Sequence, residues 1–329
     1  MIISFSSIRE DKPAEKWKAL FDRTWPQYKN WFLSEGYLAR KGYLTSVTQL
    51  EKYMPELVPV YQLLLNLVGG GDLESRFLTM FSPPAYMSAC SQVAWTSGST
   101  SLIRNYDYSF KMFEGTMLYS NWLQPIIGMS DCTWGLLDGM NASGLAASLT
   151  FGGRKVTGDG FGIPLIIRYI LETSTTVKEA LGILSRVPVH MAYNVTLIDV
   201  SGEYATAYLS PDRAPVIVDS AVATNHQVEV EWTDYASLTD TIERKRHLEE
   251  LVSSPNETEA SVIRHFLHPP LYNTNFEKSF GTLYTIAYNV AQGTANIHWP
   301  EAEMKQSFSL FTENRVVPFS TSLRKGLIF

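Results

Sequence analysis

The change of pattern at residue 89 constrains this chain more than anything else in it. Before that point, large apolar residues recur at helical spacing: Trp17, Leu20 and Phe21, then Trp25, Tyr28, Trp31 and Phe32. A second run takes in Leu50, Tyr53, Met54, Leu57, Val60, Tyr61 and Leu64. Steps of three and four put such residues on one helix face, so residues 1–89 read as a block of amphipathic helices. Gly69-Gly70-Gly71 stops the second run, and Pro83-Pro84 stops the short one after it. A block this apolar must dock on the remainder of the chain.

From Cys90 onward the pattern shifts to short alternating segments. Residues 92–95, 101–104 and 116–119 read as strands with Gly and Ser turns between them. Two helices are expected next, over 163–172 and from the capping box Thr176-x-x-Glu179 to about Arg186. Strands return at 195–199, 203–208, 215–218 and 221–224. Charged helical segments then cover 239–252 and 259–266, and strands close the chain at 282–288 and 295–299. Strands, helices and strands again predict an α+β fold, with helices layered on antiparallel sheets. At 329 residues the chain has room for about two domains, which the pattern divides as 1–89 and 90–329.

Composition narrows the function by exclusion. The 27 basic residues against 33 acidic ones give a formal charge of −6, which argues against a nucleic-acid partner. No apolar run reaches the 18 or so residues of a membrane span; the one at 163–171 is interrupted by Arg168. The first residues lack a signal-peptide core, because Arg9-Glu10-Asp11-Lys12 follows at once. The sequence therefore reads as soluble and cytoplasmic. Nucleotide, dinucleotide and serine-hydrolase templates are absent. His265 and His268 share a helical face, but no third ligand stands near them, so no metal is expected.

Two cysteines remain, Cys90 and Cys132. A lone cysteine is first of all a small buried hydrophobe, and Cys132 is read that way. Cys90 differs because it stands where the helical block meets the strands. If the Ala89–Cys90 bond were cut, Cys90 would head a new chain and carry both a thiol and a free α-amine. Such an amine titrates at about 7.7–8.0, so one residue supplies a nucleophile and the base that activates it.

Cys90-Ser91-Gln92 followed by Arg104-Asn105-Tyr106-Asp107 resembles the start of the mature N-terminal-nucleophile hydrolases. The nearest branch is the penicillin acyltransferase-like family, of the acyl-CoA:6-aminopenicillanic acid acyltransferase type. Choloylglycine hydrolases and acid ceramidase are more distant. Asp138-Gly139-Met140-Asn141-Ala142-Ser143-Gly144-Leu145 is similar to the family's D-G-x-N-x-x-G-L, and Ala223-Thr224-Asn225-His226 to its T-N-H segment. Thr241-x-x-Arg244 and Thr282-Leu283-Tyr284-Thr285 resemble two further motifs in the family's order. Arg76 through Pro84 resembles the pro-segments of this branch.

The resemblance implies a four-layer αββα sandwich from Cys90 onward, with residues 1–89 a helical pro-segment retained as a small chain. It implies Cys90 as nucleophile, freed by autocatalytic cleavage after Ala89. Arg104 would lie beside the thiol, where its charge favours the anionic sulfur, and Asp107 would accept hydrogen bonds from the new α-amine. Asn225 would donate to the oxyanion. Arg244 would close the polar network or meet substrate, with Arg246 as the alternative. Thr150 and Asn141 are candidates for a further oxyanion or substrate contact. Thr150 stands where choloylglycine hydrolases have Asn, which weakens a bile-salt reading.

The implied activity is cleavage of a linear, non-peptide amide through a thioester on Cys90, with a small N-acyl amide as substrate and no cofactor. An acyltransferase using an acyl-CoA or similar thioester donor is the alternative, and a non-catalytic, uncleaved protein of the same fold is the second. The aromatic residues at Trp95 and 106–113 are the guess for a hydrophobic acyl site. Self-association is left open.

Overall fold

The computed structural model describes residues 2–110, 113–276 and 280–320. The chain starts with a strand that the helical spacing gave no reason to expect, β1 (Ile2–Glu10). Helix α1 (Glu15–Phe32) follows and carries the first aromatic stripe, burying Trp17, Phe21, Tyr28 and Phe32. The second apolar run is not one helix. It divides into α2 (Tyr43–Tyr53) and α3 (Val58–Leu67), joined through a 3₁₀ turn that begins at Pro55. Proline has no N–H for the preceding turn and its ring crowds that turn; the helix is interrupted at Pro55, whereas α1 continues through Pro26. Gly69 and Gly70, both at positive φ, end α3. A last short helix, α4 (Asp72–Leu78), leads to the Pro83-Pro84 segment.

The strands after it are β2 (Ala89–Trp95), β3 (Ser101–Tyr108), β4 (Thr116–Asn121), β5 (Pro125–Asp131), β6 (Gly135–Asn141) and β7 (Leu145–Phe151). Helices α5 (Ile163–Thr173) and α6 (Val177–Arg186) come next; the Thr176 hydroxyl caps α6 by accepting from the Glu179 N–H. Then come β8 (Tyr193–Asp199), β9 (Tyr204–Ser210), β10 (Arg213–Val218) and the two-residue β11 (Val222–Ala223). Helices α7 (Thr233–Leu238), α8 (Thr241–Ser253) and α9 (Glu259–Phe266) precede β12 (Gly281–Asn289), β13 (Thr294–Trp299), β14 (Ala302–Ser307) and β15 (Asn314–Ser320).

These strands form two sheets. One has nine strands in the order β10-β9-β8-β7-β6-β5-β4-β1-β15; the other has six, β11-β2-β3-β12-β13-β14. Phe5, Cys90, Tyr106, Met117, Ile127, Tyr284 and Trp299 belong to the core between them. On the outer side of the six-stranded sheet, Val93, Trp95 and Ile103 meet Leu248 and Leu251 of α8 and Val262 and Phe266 of α9. On the outer side of the nine-stranded sheet, α5 and α6 pack together with the aromatic stripe of α1 and the apolar faces of α2 and α3. The layers are therefore αββα, and the N-terminal helices add to the outer layer on the α5 side. Because β1 pairs in parallel with β4 and antiparallel with β15, the N-terminal block also supplies a strand inside the larger sheet.

Strands β5, β6 and β7 escaped the period-two pattern for a physical reason. They are buried along nearly their whole length, and a strand covered on both faces has no polar side to alternate with.

Arg168, which interrupts the apolar run, lies fully buried inside α5. Its Nη1 meets Glu172 at 3.1 Å and the Ser120 hydroxyl at 2.7 Å, while Nε donates to the Trp134 carbonyl at 2.8 Å. Removing one member of such a pair strands a buried charge, so Arg168→Ala is expected to lower stability by about 3–5 kcal/mol in urea unfolding. A loss under about 1 kcal/mol, the value of a surface pair, would show that the pair carries no such weight.

Candidate active site

The register of β2 sets the site. Ala89 lies opposite Asp107 and Cys90 opposite Tyr106 on β3, while β11 pairs with Gln92 and Val93 on the other edge. Cys90 is thus at the start of an inner strand, fully buried. Its N–H donates to Asn225 Oδ1 at 2.8 Å, and its carbonyl accepts from Arg244 Nη1 at 2.6 Å. Main-chain groups alternate sides along a strand, so Cys90 faces the β11 edge and the Ala89 carbonyl turns toward β3.

Arg244 projects from α8 and holds several groups at once. Its Nη1 also donates to Ser91 Oγ at 2.8 Å, its Nη2 to Asn225 Oδ1 at 2.7 Å and its Nε to the Thr239 carbonyl at 2.7 Å. The first residue of α8 pins the neighbouring turn, because the Asn225 N–H donates to Thr241 Oγ1 at 2.7 Å. Asn225 Oδ1 accepts from two donors, which fixes the amide orientation. Its Nδ2 then donates to the carbonyls of Ser88, at 3.1 Å, and Phe151, at 3.2 Å.

The sulfur faces the other way, into the space between the sheets. Arg104 Nη2 approaches Sγ at 3.3 Å. Arg104 Nη1 donates to Asp138 Oδ2 at 2.5 Å and to the Leu137 carbonyl at 2.6 Å. The Tyr284 and Tyr288 hydroxyls each donate to Asp138 at 2.6 Å. Burial, reinforced by the Asp138 charge, raises both phenols well above their ordinary range, so they remain donors. Asp138 and its two tyrosines thus hold the guanidinium against the sulfur. No role for these three was read from the sequence, although Asp138 opens the D-G-x-N-x-x-G-L segment and Tyr284 lies within Thr282–Thr285.

Asp107 accepts from Thr282 Oγ1 at 2.7 Å and lies 3.9 Å from Arg244 Nη1. Burial lifts its carboxyl to about 6, against the lowering pull of Arg244, Thr282 and Arg104. No bond joins Asp107 to the Cys90 nitrogen here; that nitrogen carries one hydrogen in the peptide, and Asn225 accepts it. The structure therefore brings Cys90, Arg104, Asp107, Asn225 and Arg244 together across more than 150 residues of sequence.

A residue without any sequence signal joins them. The Tyr235 hydroxyl donates to the Ser88 carbonyl, the same oxygen that Asn225 Nδ2 reaches. Ser88 Oγ is also 3.5 Å from Cys90 Sγ.

Other candidates have different partners. The Thr150 hydroxyl donates to the Thr224 carbonyl at 2.7 Å, so it braces the turn that carries Asn225. Asn141 Nδ2 donates to the carbonyls of Leu171 and Ser174, tying the end of α5 to the β6–β7 turn. Neither reaches the sulfur, because each spends its donors on a main-chain carbonyl nearby. Arg246 is exposed and pairs with Glu243 and Glu250. Cys132 is buried with its Sγ 3.6 Å from Asp131 Oδ2; burial, and then the Asp131 and Glu114 charges, push its thiol up, which disfavours a nucleophile. Trp95 faces α8 and α9 instead of the inter-sheet core, and of 106–113, residues 111 and 112 lie outside the described residues. His268 is bound to the Arg264 carbonyl, and among the described residues no cluster of three His, Cys, Asp or Glu could hold a metal. No described helix is long and apolar enough to cross a membrane.

A family model for acyl-coenzyme A:6-aminopenicillanic acid acyl-transferase matches residues 95–303, more than half of the chain. That span begins just after Cys90 and takes in Arg104, Asp107, Asp138, Asn225, Tyr235 and Arg244. No curated protein matches the sequence. Among solved structures, a mutant conjugated bile acid hydrolase from Clostridium perfringens aligns with a TM-score of 0.47 at 13% identity, over 70% of this chain and 96% of that one. A penicillin V acylase from Agrobacterium tumefaciens gives 0.45 at 17% identity, over 67% and 86%. The Caenorhabditis elegans N-acylethanolamine-hydrolyzing acid amidase ortholog gives 0.43 at 17%, over 61% and 93%.

Proposed function

We propose that this chain, which belongs to the acyl-coenzyme A:6-aminopenicillanic acid acyl-transferase family and is an enzyme of amide hydrolysis or acyl transfer, is a self-processing cysteine amidase. The observation that carries the reading is the double clamp on Cys90. Asn225 and Arg244 fix its main chain at 2.8 and 2.6 Å, while Arg104 meets its sulfur at 3.3 Å. A cysteine kept only for packing needs neither guanidinium.

The reaction begins inside the chain. Sγ attacks the Ala89 carbonyl, the Ala89–Cys90 C–N bond breaks, and the Cys90 nitrogen leaves as an amine. Water then hydrolyses the thioester and frees the thiol. Ala89 and Cys90 are both buried, which favours self-cleavage over attack by another protease. In the second reaction, Sγ attacks the carbonyl of a linear amide and its proton passes through the α-amine to the leaving amine. Arg104 offsets charge on the sulfur as it attacks, and Asp107 faces the ammonium that forms. Water or an acceptor amine finally takes the acyl group.

After cleavage, residues 1–89 would stay bound as a small chain, because β1 is hydrogen-bonded between β4 and β15 and α1 is packed on the outer layer. A small cavity lined by Tyr28, Trp31, Tyr86, Tyr106 and Tyr108, together with the Asp131 carboxyl and the Cys132 thiol, lies beside the strand pair that carries Cys90. The acyl-transferase reading draws support from the family description alone, and the ratio of hydrolysis to transfer with an added amine acceptor decides between the two.

Intact-mass analysis over time tests the proposal: purified protein should resolve into residues 1–89 and 90–329. The buried Asp107 carboxyl also makes the stability of the uncleaved chain depend on pH. A raised carboxyl contributes fully below its unfolded value of about 3.9, and that contribution is lost as pH rises through about 6. A chain that stays intact at every pH, with Cys90 inert to iodoacetamide, would overturn the proposal.

A further inference from the structure

Two donors converge on the carbonyl oxygen of Ser88, two residues before Cys90, and only one of them was expected. Asn225 Nδ2 reaches the Ser88 oxygen at 3.1 Å and the Tyr235 hydroxyl reaches the same atom. The Ser88 side chain touches Cys90 Sγ at 3.5 Å. Ser88 therefore meets the sulfur with its side chain and the donor pair with its main-chain oxygen, so its withdrawal would open a place next to both.

The scissile carbonyl is not the one held. Ala89 pairs with Asp107 and its oxygen faces β3, whereas the Ser88 oxygen faces the Asn225 edge. The donor pair is thus aimed at a group one residue upstream of the bond that self-cleavage breaks. Cleavage would make residue 89 a chain end and allow Ser88 to withdraw, which frees both donors.

We propose that the Tyr235 hydroxyl and the Asn225 amide together receive the carbonyl oxygen of the substrate, with Ser88 occupying their place in the uncleaved chain. This rests on Cys90 being the nucleophile, and it adds a catalytic residue to that mechanism. As Sγ bonds to the substrate carbon, the C=O pair moves onto oxygen, and both hydrogen bonds strengthen without any proton changing owner.

The surroundings of Tyr235 suit such a donor. Its ring is edge-on to Phe151 at 5.2 Å and lies against Trp232 at 5.0 Å, and its own carbonyl accepts from Thr239 Oγ1 at 2.8 Å. The hydroxyl is aimed before substrate arrives, so no reorientation is needed at the moment of reaction. Burial, followed by the Cys90 charge, raises its proton affinity, which keeps the O–H a donor. Thr150, the other candidate, gives its hydroxyl to the Thr224 carbonyl instead.

Tyr235→Phe keeps the ring and removes only the donor. On hexanoyl p-nitroanilide as probe, kcat should fall by about 10²-fold with KM changed by less than about threefold. Hexanal forms a tetrahedral adduct on the thiol and should bind more weakly by a similar factor, whereas planar hexanamide should bind as before. A merely structural tyrosine would affect both ligands alike. Wild-type turnover with Tyr235→Phe equally active overturns the inference alone. So does a Tyr235→Phe chain that no longer cleaves, since Tyr235 would then serve the fold or the first step. A wild-type protein that neither cleaves nor binds hexanal removes the underlying function as well.

Discussion

Cys90→Ala should purify as one intact species of 329 residues and stay so on incubation, with amidase activity lower by at least about four orders of magnitude. The substitution is nearly silent for the fold. Cys90 is fully buried in the inter-sheet core, and alanine deletes one sulfur while leaving the Cys90 N–H and carbonyl bonded to Asn225 and Arg244. A melting temperature near wild type would therefore accompany the loss of chemistry. Mass spectrometry and turnover test the two roles separately. If Cys90→Ala still splits after residue 89, the thiol does not cut its own chain. If it splits nowhere yet retains turnover, another nucleophile is at work, and Cys132 is a poor candidate because burial and two carboxylates push its thiol up.

Asn225→Asp should lose about 10²–10³ in kcat, with a lower melting temperature because its second carboxylate oxygen faces two carbonyl oxygens. The reason lies in the division of the amide. Oδ1 accepts from the Cys90 N–H and Arg244, and an aspartate oxygen can do the same. Nδ2 donates to the Ser88 and Phe151 carbonyls, and the second carboxylate oxygen cannot. The substitution thus keeps the clamp on Cys90 and deletes the donor toward the substrate oxygen. Asn225→Ala is the cruder change, because it also strands Arg244 and the Cys90 N–H inside the protein. If Asn225→Asp retained kcat within a few-fold of wild type, the amide would serve only to hold Cys90 and the oxyanion role would fall.

The elements that followed the sequence are those with one face open to a pattern. The stripe Trp17, Phe21, Tyr28 and Phe32 is buried along α1, and Thr176 caps α6 as its spacing predicts. The reading failed where burial removes the pattern or where pairing is distant. Strands β5 to β7 are covered on both faces, and β1 owes its place to partners more than 100 residues away. Met54-Pro55 had a local signal, since proline disfavours a continuing helix even though α1 runs through Pro26, yet the apolar spacing ran straight across it.

The site divides along the same line. Cys90 could be singled out from its place at the change of texture and from its chemistry as a chain end, whereas Arg104, Asp107, Asn225 and Arg244 were named because the short motifs around them resemble those of a known family. The sequence by itself singled out Cys90, at the change of texture with Ala89 before it, as the thiol to propose, and read Cys132 as packing. Only the tertiary structure decided the aim of each group. It turned the Ala89 carbonyl toward β3, spent Thr150 and Asn141 on main-chain carbonyls, and set Asp138 behind Arg104. It also brought Tyr235 to the Ser88 oxygen from a short helix with no motif around it. A hydrogen bond depends on direction and on a partner far along the chain, and neither exists until the two sheets close on each other.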